Sequence, residues 1–200
     1  MAAARPIRLP SPDFDQLPLP VSPVAGFDLL RVHGAHRQAV QFQLNPAHRF
    51  SHPDSPGGLL YLAGDLGTCL WECFGDAIYD GGSRIARATW ENRRLSRIFS
   101  AEDFRFCDLT DLKVRGVLQI DLSASMHTDL AVPHAWALAI QNHSAGVDGL
   151  RYLSRFSGRP CLALFERPGT LAKLRGETVV DLPDSDEASG FLETHAIALV

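Results

Sequence analysis

The stretch that constrains the fold most is residues 57–76, GGLLYLAGDLGTCLWECFGD. Its apolar run LLYLA has the length and composition of a short buried strand. Gly64 and Asp65 end this strand, and either Asp65 or Thr68 serves as the N-cap of a helix. After the cap, apolar side chains recur at helical spacing: Leu66, Leu70 and Cys73 or Phe74. The stretch therefore predicts a strand that leads directly into a helix.

Glu72 is the residue of this predicted helix that needs an explanation. It lies among mostly apolar neighbours, and glutamate is seldom buried without a partner. One interpretation places Glu72 on the solvent face while its neighbours pack. The other turns it inward, where a buried carboxylate needs a purpose, and the rest of the chain must decide between them.

Composition excludes several classes of protein. The chain has 200 residues, 46% hydrophobic and 21% charged, with a net charge of −4 and a pI near 6.0. This is the composition of a globular domain, and it lacks the basic field of a nucleic-acid-binding protein. We expect neither a membrane span nor a signal peptide, because no apolar run has the length of a membrane span and no apolar stretch follows the N-terminus. The four cysteines, with Cys69 and Cys73 one helical turn apart, favour buried thiols in a cytoplasmic protein over a metal site.

The N-terminal segment differs from the rest of the chain. Residues 1–24 hold six of the thirteen prolines, which disfavours helix or a central strand. We predict an extended arm that either wraps the domain or stays mobile. Residues 25–200 then form one domain.

Strands outnumber helices in the rest of the sequence. Strands are predicted over residues 27–33, 36–44, 59–63, 94–99, 104–110, 150–156 and 161–166, and within 170–182. Helices are predicted after Asp65, over residues 134–144 and over the C-terminal residues 185–200, and residues 112–123 are predicted as a helical turn and then an extended piece. Because helices and strands do not alternate strictly, we predict an α+β domain rather than a doubly wound parallel sheet. Nucleotide-binding glycine motifs and the GxSxG elbow are lacking.

Several polar residues stand out along these elements. Arg31 lies within the first strand, Tyr61 within LLYLA, and Ser154 at the end of LRYLSRF. Arg49 precedes Phe50 in a loop rich in proline and glycine, where it either contacts a ligand or covers the sheet. The arginines at positions 93, 94 and 97 are interpreted as a solvated face rather than a phosphate site. His143 is interpreted as a helix-end or core histidine rather than a catalytic base.

Four short patterns that contain these residues resemble the RES domain family, named after an arginine, a glutamate and a serine. They are Arg31 with His33, the pair Arg49–Phe50, the run LLYLAGDLGTCLWE, and DGLRYLSRF followed by CLALFE. The resemblance covers about residues 25–170, and its specificity comes from the order and spacing of the patterns. It implies a fold like that of ADP-ribosyltransferase toxins, with a split central β-structure, inserted helices and NAD in the cleft.

The resemblance also implies a function. Members are typically toxins of bacterial toxin–antitoxin pairs, held inactive by an Xre-like antitoxin. They cleave the nicotinamide–ribose bond of NAD, with inorganic phosphate or water as acceptor. NAD is then the substrate, and no prosthetic group is expected.

Each matching residue has a chemical role in such a reaction. Cleavage develops positive charge on the ribose, which the Glu72 carboxylate stabilises. The planar guanidinium of Arg31 suits the pyrophosphate, and the ring and hydroxyl of Tyr61 suit the nicotinamide. Ser154 donates a hydrogen bond to the ribose or a phosphate, and Arg49 adds a contact to NAD.

Two departures from the family pattern keep other functions open. Pro160 and Cys161 stand where the family often has an asparagine, and Val32 stands where an aromatic is common. A mono-ADP-ribosyltransferase acting on a protein is one alternative, and a non-catalytic binding protein on the same fold is another. A third is a scaffold in which Arg31 and Glu72 form a structural ion pair.

Overall fold

Two long strands, Ser22–Gly34 and Arg93–Asp108, pair antiparallel in the central sheet. The computed structural model describes residues 8–200. Its strands are β1 (Ser22–Gly34), β2 (Leu59–Ala63), β3 (Arg84–Ile85), β4 (Arg93–Asp108), β5 (Gly149–Leu153), β6 (Pro160–Phe165), β7 (Arg175–Asp181) and β8 (Ala198–Leu199). Its α-helices are α1 (Leu66–Asp80), α2 (Arg87–Glu91), α3 (Leu112–Leu118), α4 (Leu122–Met126), α5 (Ala131–Asn142), α6 (Thr170–Lys173) and α7 (Asp186–Thr194). Single 3-10 turns lie at Phe14–Gln16 and Leu182–Asp184.

The central sheet is nearly a closed ring that is split at one seam. Its strand order is β1-β2-β6-β5-β4-β7, and β1 also pairs with β4 along most of its length. β1 meets β2 at a single register pair, Leu30↔Ala63. Beyond this pair the two strands diverge, and α1, which comes directly after β2, packs over β1. The predicted α+β single domain with a split central β-structure and inserted helices is confirmed.

Alternation along the strands decides which side chains face α1. In β2, Leu60 and Leu62 pack into one core cluster, whereas Leu59, Tyr61 and Ala63 belong to the cluster that contains α1. Side chains two residues apart share a face of a strand. Tyr61 is therefore turned toward α1 by the same pattern that buries its neighbours.

The strand and helix predictions hold for the segments with strong local signals. The runs at 27–33 and 59–63 lie in β1 and β2, and those at 150–156 and 161–166 contain most of β5 and β6. The predicted strand within 170–182 is β7. Asp65 is the N-cap of α1, since its Oδ1 accepts from Thr68 N at 2.8 Å. Ser185 caps α7 in the same way.

Four predictions about the elements are wrong. The helix predicted over residues 185–200 ends at Thr194, because the chain turns at Ala196, which has a φ of 51°, and Ala198–Leu199 then form β8 beside β3. Residues 36–44 do not form a strand, because only Gln43 bridges to the sheet while Val40 and Phe42 cover the second core cluster. Residues 94–99 and 104–108 belong to one strand, β4, whose pairing with β1 continues past a bulge at Gly26, and residues 109–110 form a turn after it. Residues 112–123 hold α3 and the start of α4, capped by Asp111 and Asp121, rather than an extended piece.

The helix predicted from residue 134 starts earlier than expected. α5 begins at Ala131, so Pro133 lies in its first turn. A proline is tolerated there because the first N–H groups of a helix have no intrahelical acceptor. His143 is the C-terminal cap residue of α5 and is buried, in agreement with its interpretation as a helix-end histidine.

Residues 8–17 of the N-terminal arm lie along α5, whereas residues 22–24, predicted not to pair, belong to β1 and pair with β4. Phe14 is buried and packs edge-on against Trp136, whose indole N–H donates to Arg8 O at 2.9 Å. His143 Nε2 lies 3.0 Å from Leu17 O. Residues 1–7 of the predicted arm lie outside the described residues.

Candidate active site

A large cavity opens where β1 and β2 diverge. Its volume is about 1010 Å³, at the upper end of the range for small-molecule and cofactor sites. Four of the five site residues expected from the sequence line it: Arg31, Arg49, Tyr61 and Glu72. Ser154 does not line it and lies behind Glu72.

Glu72 faces inward rather than toward solvent. Its Oε1 accepts a hydrogen bond from Ser154 Oγ at 2.7 Å, and its Oε2 accepts one from Tyr152 OH at 2.9 Å. Hydrogen bonds to an ionised acceptor are among the stronger ones in proteins. The carboxylate is therefore fixed in one orientation at the cavity wall.

Ser154 acts on Glu72 and is closed off from the cavity. Its side chain is fully buried, and its Oγ accepts from Phe156 N at 3.3 Å and Ser157 N at 3.2 Å. A hydroxyl has one proton to donate, and that proton goes to Glu72. Ser154 thus couples the loop after β5 to the carboxylate.

Tyr152 is a site residue that the sequence interpretation missed. Burial, together with the charge of Glu72, raises the pKa of the Tyr152 phenol well above its ordinary value, so it remains a hydrogen-bond donor. Tyr152 lies in β5 two residues before Ser154, which comes directly after the strand, and both hydroxyls reach Glu72. The alternation in GLRYLS was the signal that could have identified it.

Arg31 is buried, and no acidic side chain of the described residues pairs with it. The residue is only 8% exposed, and burial, with a contribution from the positive charge of Arg37, lowers its pKa to about 10. Its Nη1 donates to Ala39 O at 2.6 Å. Within residues 8–200, neither Arg31 nor Arg37 forms an ion pair, so the scaffold alternative, with an Arg31–Glu72 pair, is not supported. A guanidinium held this way is prepared for an anionic ligand.

Tyr61 and Arg49 belong to one corner of the cavity. Tyr61 OH accepts from Phe50 N at 3.2 Å, which leaves the phenol proton free to be donated. Burial raises the pKa of Tyr61, so its hydroxyl stays protonated. Arg49 reaches across to α4, where its Nη1 donates to Ser125 O at 3.2 Å.

Charge is distributed unevenly around the cavity. Three carboxylates line it from a single face of α1, at helical spacing: Glu72, Asp76 and Asp80. Five arginines line it: Arg31, Arg37, Arg49, Arg93 and Arg155. Of these five, only Arg155 forms an ion pair in the described part of the chain, with Asp76. The cavity therefore presents both unpaired guanidinium groups and an acidic helix face.

Arg93 corrects the interpretation of a wholly solvated arginine face. Arg94 pairs with Asp181, and Arg97 pairs with Asp28 and Glu177, as solvated arginines do. Arg93, by contrast, lines the cavity and stacks over Phe74. No local pattern in the sequence separates it from its two neighbours.

The residues that depart from the family pattern lie close to the site. Cys161 is buried and lines a cavity of about 40 Å³, also lined by Arg31, Glu72 and Tyr152. Val32 is buried and lines the main cavity, whereas Pro160 is exposed. Val32 and Cys161 thus line cavities that Glu72 also lines, and neither is one of its hydrogen-bond partners, which are Ser154 and Tyr152.

Two structural features are absent from the described part of the chain. Among residues 8–200, no group of three histidine, cysteine, aspartate or glutamate side chains is arranged to hold a metal ion. No helix in the same range combines the length and apolar character needed to cross a membrane.

Comparison with known proteins agrees with the geometry. The fold is similar to a chain in the crystal structure of the M. tuberculosis MbcT–MbcA toxin–antitoxin complex, with a TM-score of 0.57 and 21% identity, over 86% of this chain and 90% of that chain. No curated protein matches the sequence. The model of the RES domain matches residues 28–184, which is most of the chain and includes all five expected site residues. The family resemblance is thereby confirmed: the chain belongs to the RES domain family.

Proposed function

We propose that this protein degrades NAD by cleaving its nicotinamide–ribose bond. The observation that carries the proposal is the Glu72 carboxylate, fixed by Ser154 and Tyr152 at the wall of a cavity that also holds unpaired guanidinium groups. The Glu72 carboxylate suits the positive charge that develops on the ribosyl group. The guanidinium groups suit the phosphates of the same molecule.

The chemistry needs little from the protein beyond electrostatics. The C–N bond breaks with its electron pair passing to the pyridinium nitrogen, so nicotinamide leaves as a neutral molecule. Positive charge develops on the ribose, and Glu72 stabilises it more strongly in the transition state than in the ground state. An acceptor oxygen then bonds to the anomeric carbon, and its proton passes to solvent. NAD is the substrate, and no prosthetic group takes part.

The surrounding residues divide the work of binding NAD. Arg31 holds the pyrophosphate, assisted by Arg37, and Arg49 adds a second cationic contact. Tyr61 places its ring and its free phenol proton against the nicotinamide. Ser154 and Tyr152 are positioning residues, because both of their hydroxyl protons are directed at Glu72.

We further propose that the protein is the toxin of a toxin–antitoxin pair, with an Xre-like antitoxin as its partner. This is supported by membership of the RES domain family and by the fold shared with a chain of a toxin–antitoxin complex. NAD loss provides the toxic effect. The partner then acts by blocking entry to the cavity.

One experiment tests the reaction and identifies the acceptor. Purified protein is incubated with NAD, with and without inorganic phosphate, and the products are identified by mass spectrometry. Phosphorolysis yields nicotinamide and a phosphorylated ADP-ribose, hydrolysis yields nicotinamide and ADP-ribose, and transfer leaves the label of radioactive NAD on protein. NAD that remains intact under every condition would overturn the proposal in favour of a non-catalytic binding protein.

A further inference from the structure

The cavity wall carries an exposed aromatic surface away from Glu72. Tyr79, near the C-terminal end of α1, lines the cavity yet is 70% exposed. Its ring stacks on Phe156, with centroids 5.6 Å apart and planes inclined by 25°. Phe156 stacks in turn on Trp71 at 6.1 Å and 20°. We call these three rings the aromatic platform, and core packing does not account for its open Tyr79 end.

The chain holds the platform in place from two sides. A Cβ added to Gly75 would lie 2.4 Å from the Phe156 ring, so only glycine lets this ring lie against α1. On the other side, the Arg155 guanidinium lies 4.5 Å from the Phe156 centroid and pairs with Asp76 of α1. Phe156 is therefore a fixed base on which Tyr79 rests.

The charges near the platform differ from those near Arg31. Asp80, adjacent to Tyr79, lines the cavity and forms no ion pair within residues 8–200. Asp76 is already neutralised by Arg155. Phosphates are thus disfavoured at this end, and a flat uncharged ring that carries a hydrogen-bond donor is favoured.

The spacing along α1 links the platform to the reaction site. Tyr79 lies seven residues after Glu72, which corresponds to about 10 Å along a helix. Both side chains line the same cavity. One dinucleotide can therefore place its scissile bond at Glu72 and its second base at Tyr79.

We propose that the aromatic platform binds the adenine ring of the substrate, with the ring stacked on Tyr79 and its 6-amino group donating to the Asp80 carboxylate. The identity of the ligand rests on the proposed function, because NAD is the dinucleotide for which Glu72 and Arg31 are suited. The platform then determines which base the substrate carries. It holds the half of NAD that is remote from the bond that breaks.

Binding of ADP-ribose, measured by calorimetry, tests the stacking. Tyr79→Ala is expected to weaken binding roughly tenfold, which is about 1.4 kcal/mol. Tyr79→Phe, which keeps the ring, retains the affinity. Leu112→Ala serves as the control, since Leu112 is 77% exposed in α3 and does not line the cavity. Unchanged affinity in Tyr79→Ala overturns the platform.

The hypoxanthine analogue of ADP-ribose tests the contact to Asp80. It has a carbonyl oxygen where adenine has the amino group, so the wild-type protein is expected to bind it roughly tenfold more weakly. Asp80→Asn, whose amide can donate to that oxygen, is expected to remove most of this preference. Equal affinity of the wild-type protein for both ligands contradicts the assignment.

These measurements separate the platform from the cleavage reaction, because neither requires turnover. A protein that binds ADP-ribose through Tyr79 but leaves NAD intact supports the platform and contradicts the proposed function. A protein that cleaves NAD while Tyr79→Ala binds ADP-ribose normally contradicts the platform alone.

Discussion

Replacing Ser154 with alanine separates a residue that orients Glu72 from one that binds NAD. The change deletes the 2.7 Å hydrogen bond to Glu72 and leaves the carboxylate held by Tyr152 alone. A hydrogen bond to a charged group contributes about 1.5–3 kcal/mol, so we expect about 2 kcal/mol less stability. A carboxylate misplaced by even about 1 Å lowers the rate up to roughly 100-fold. We therefore expect a large fall in kcat for NAD cleavage with little change in KM.

The assay is steady-state release of nicotinamide, accompanied by thermal unfolding of each variant. Ser100→Ala is the matched control, because Ser100 is also buried, donates to a backbone carbonyl, Lys173 O, and accepts from Glu102 N. The control is expected to lose about 1 kcal/mol of stability and no activity. A Ser154→Ala enzyme with unchanged kcat and a raised KM would refute the positioning role and restore Ser154 as a direct contact to NAD.

Three other substitutions and one change of pH test particular side chains. Arg31→Met should weaken NAD binding by about 2–3 kcal/mol. It should not lower the melting temperature, because it removes a buried charge that has no acidic partner among the described residues, and a lower melting temperature would contradict this reasoning. Gly75→Ala should lower the free energy of unfolding by about 1–3 kcal/mol, because the added Cβ would clash with the Phe156 ring. Urea unfolding measures this loss, and an unchanged stability would show that the Phe156 ring moves aside freely. Burial lowers the pKa values of His33 and His48, so the unfolded state binds protons at a higher pH than the folded state does. The melting temperature should therefore fall as pH drops below about 6.5. His48→Gln should reduce that fall, and a fall of the same size as in the wild-type protein would show that His48 does not contribute to it.

Much of the fold could be predicted because its signals are local. The run LLYLA and the cap at Asp65 specify β2 and the start of α1 by composition and hydrogen bonding alone. Residues 36–44 were mispredicted because an alternating pattern also suits a segment that covers a core without pairing. The continuous β4 was missed because its polar middle is held in the sheet by pairing with a distant strand, β1. The amino-acid pattern of β4 alone does not predict its pairing with β1.

The candidate site could be predicted only in part, for a similar reason. Glu72 stood out in the sequence as an acid among apolar neighbours, but residue type alone favoured a solvent-facing side chain, and only the resemblance to the RES family gave it a role. The structure turns it inward, where Ser154 and Tyr152 are its partners. Arg37 comes from a loop, and its place beside Arg31 depends on how that loop folds back. Residues brought together by tertiary structure alone give no sequence signal of their own.

The most direct test of the central claim is the rate at which Glu72→Gln releases nicotinamide from NAD. The substitution keeps the size of the side chain and removes the charge that we propose to stabilise the ribosyl cation. It also replaces one acceptor oxygen by an NH2 group, so either the Ser154 or the Tyr152 hydroxyl must rotate to accept instead of donate. We predict a fall of at least about 100-fold in kcat, as is typical when one electrostatic contact to a transition state is lost, with ADP-ribose still bound and the fold intact. A folded Glu72→Gln protein that retains most of its rate would contradict the account.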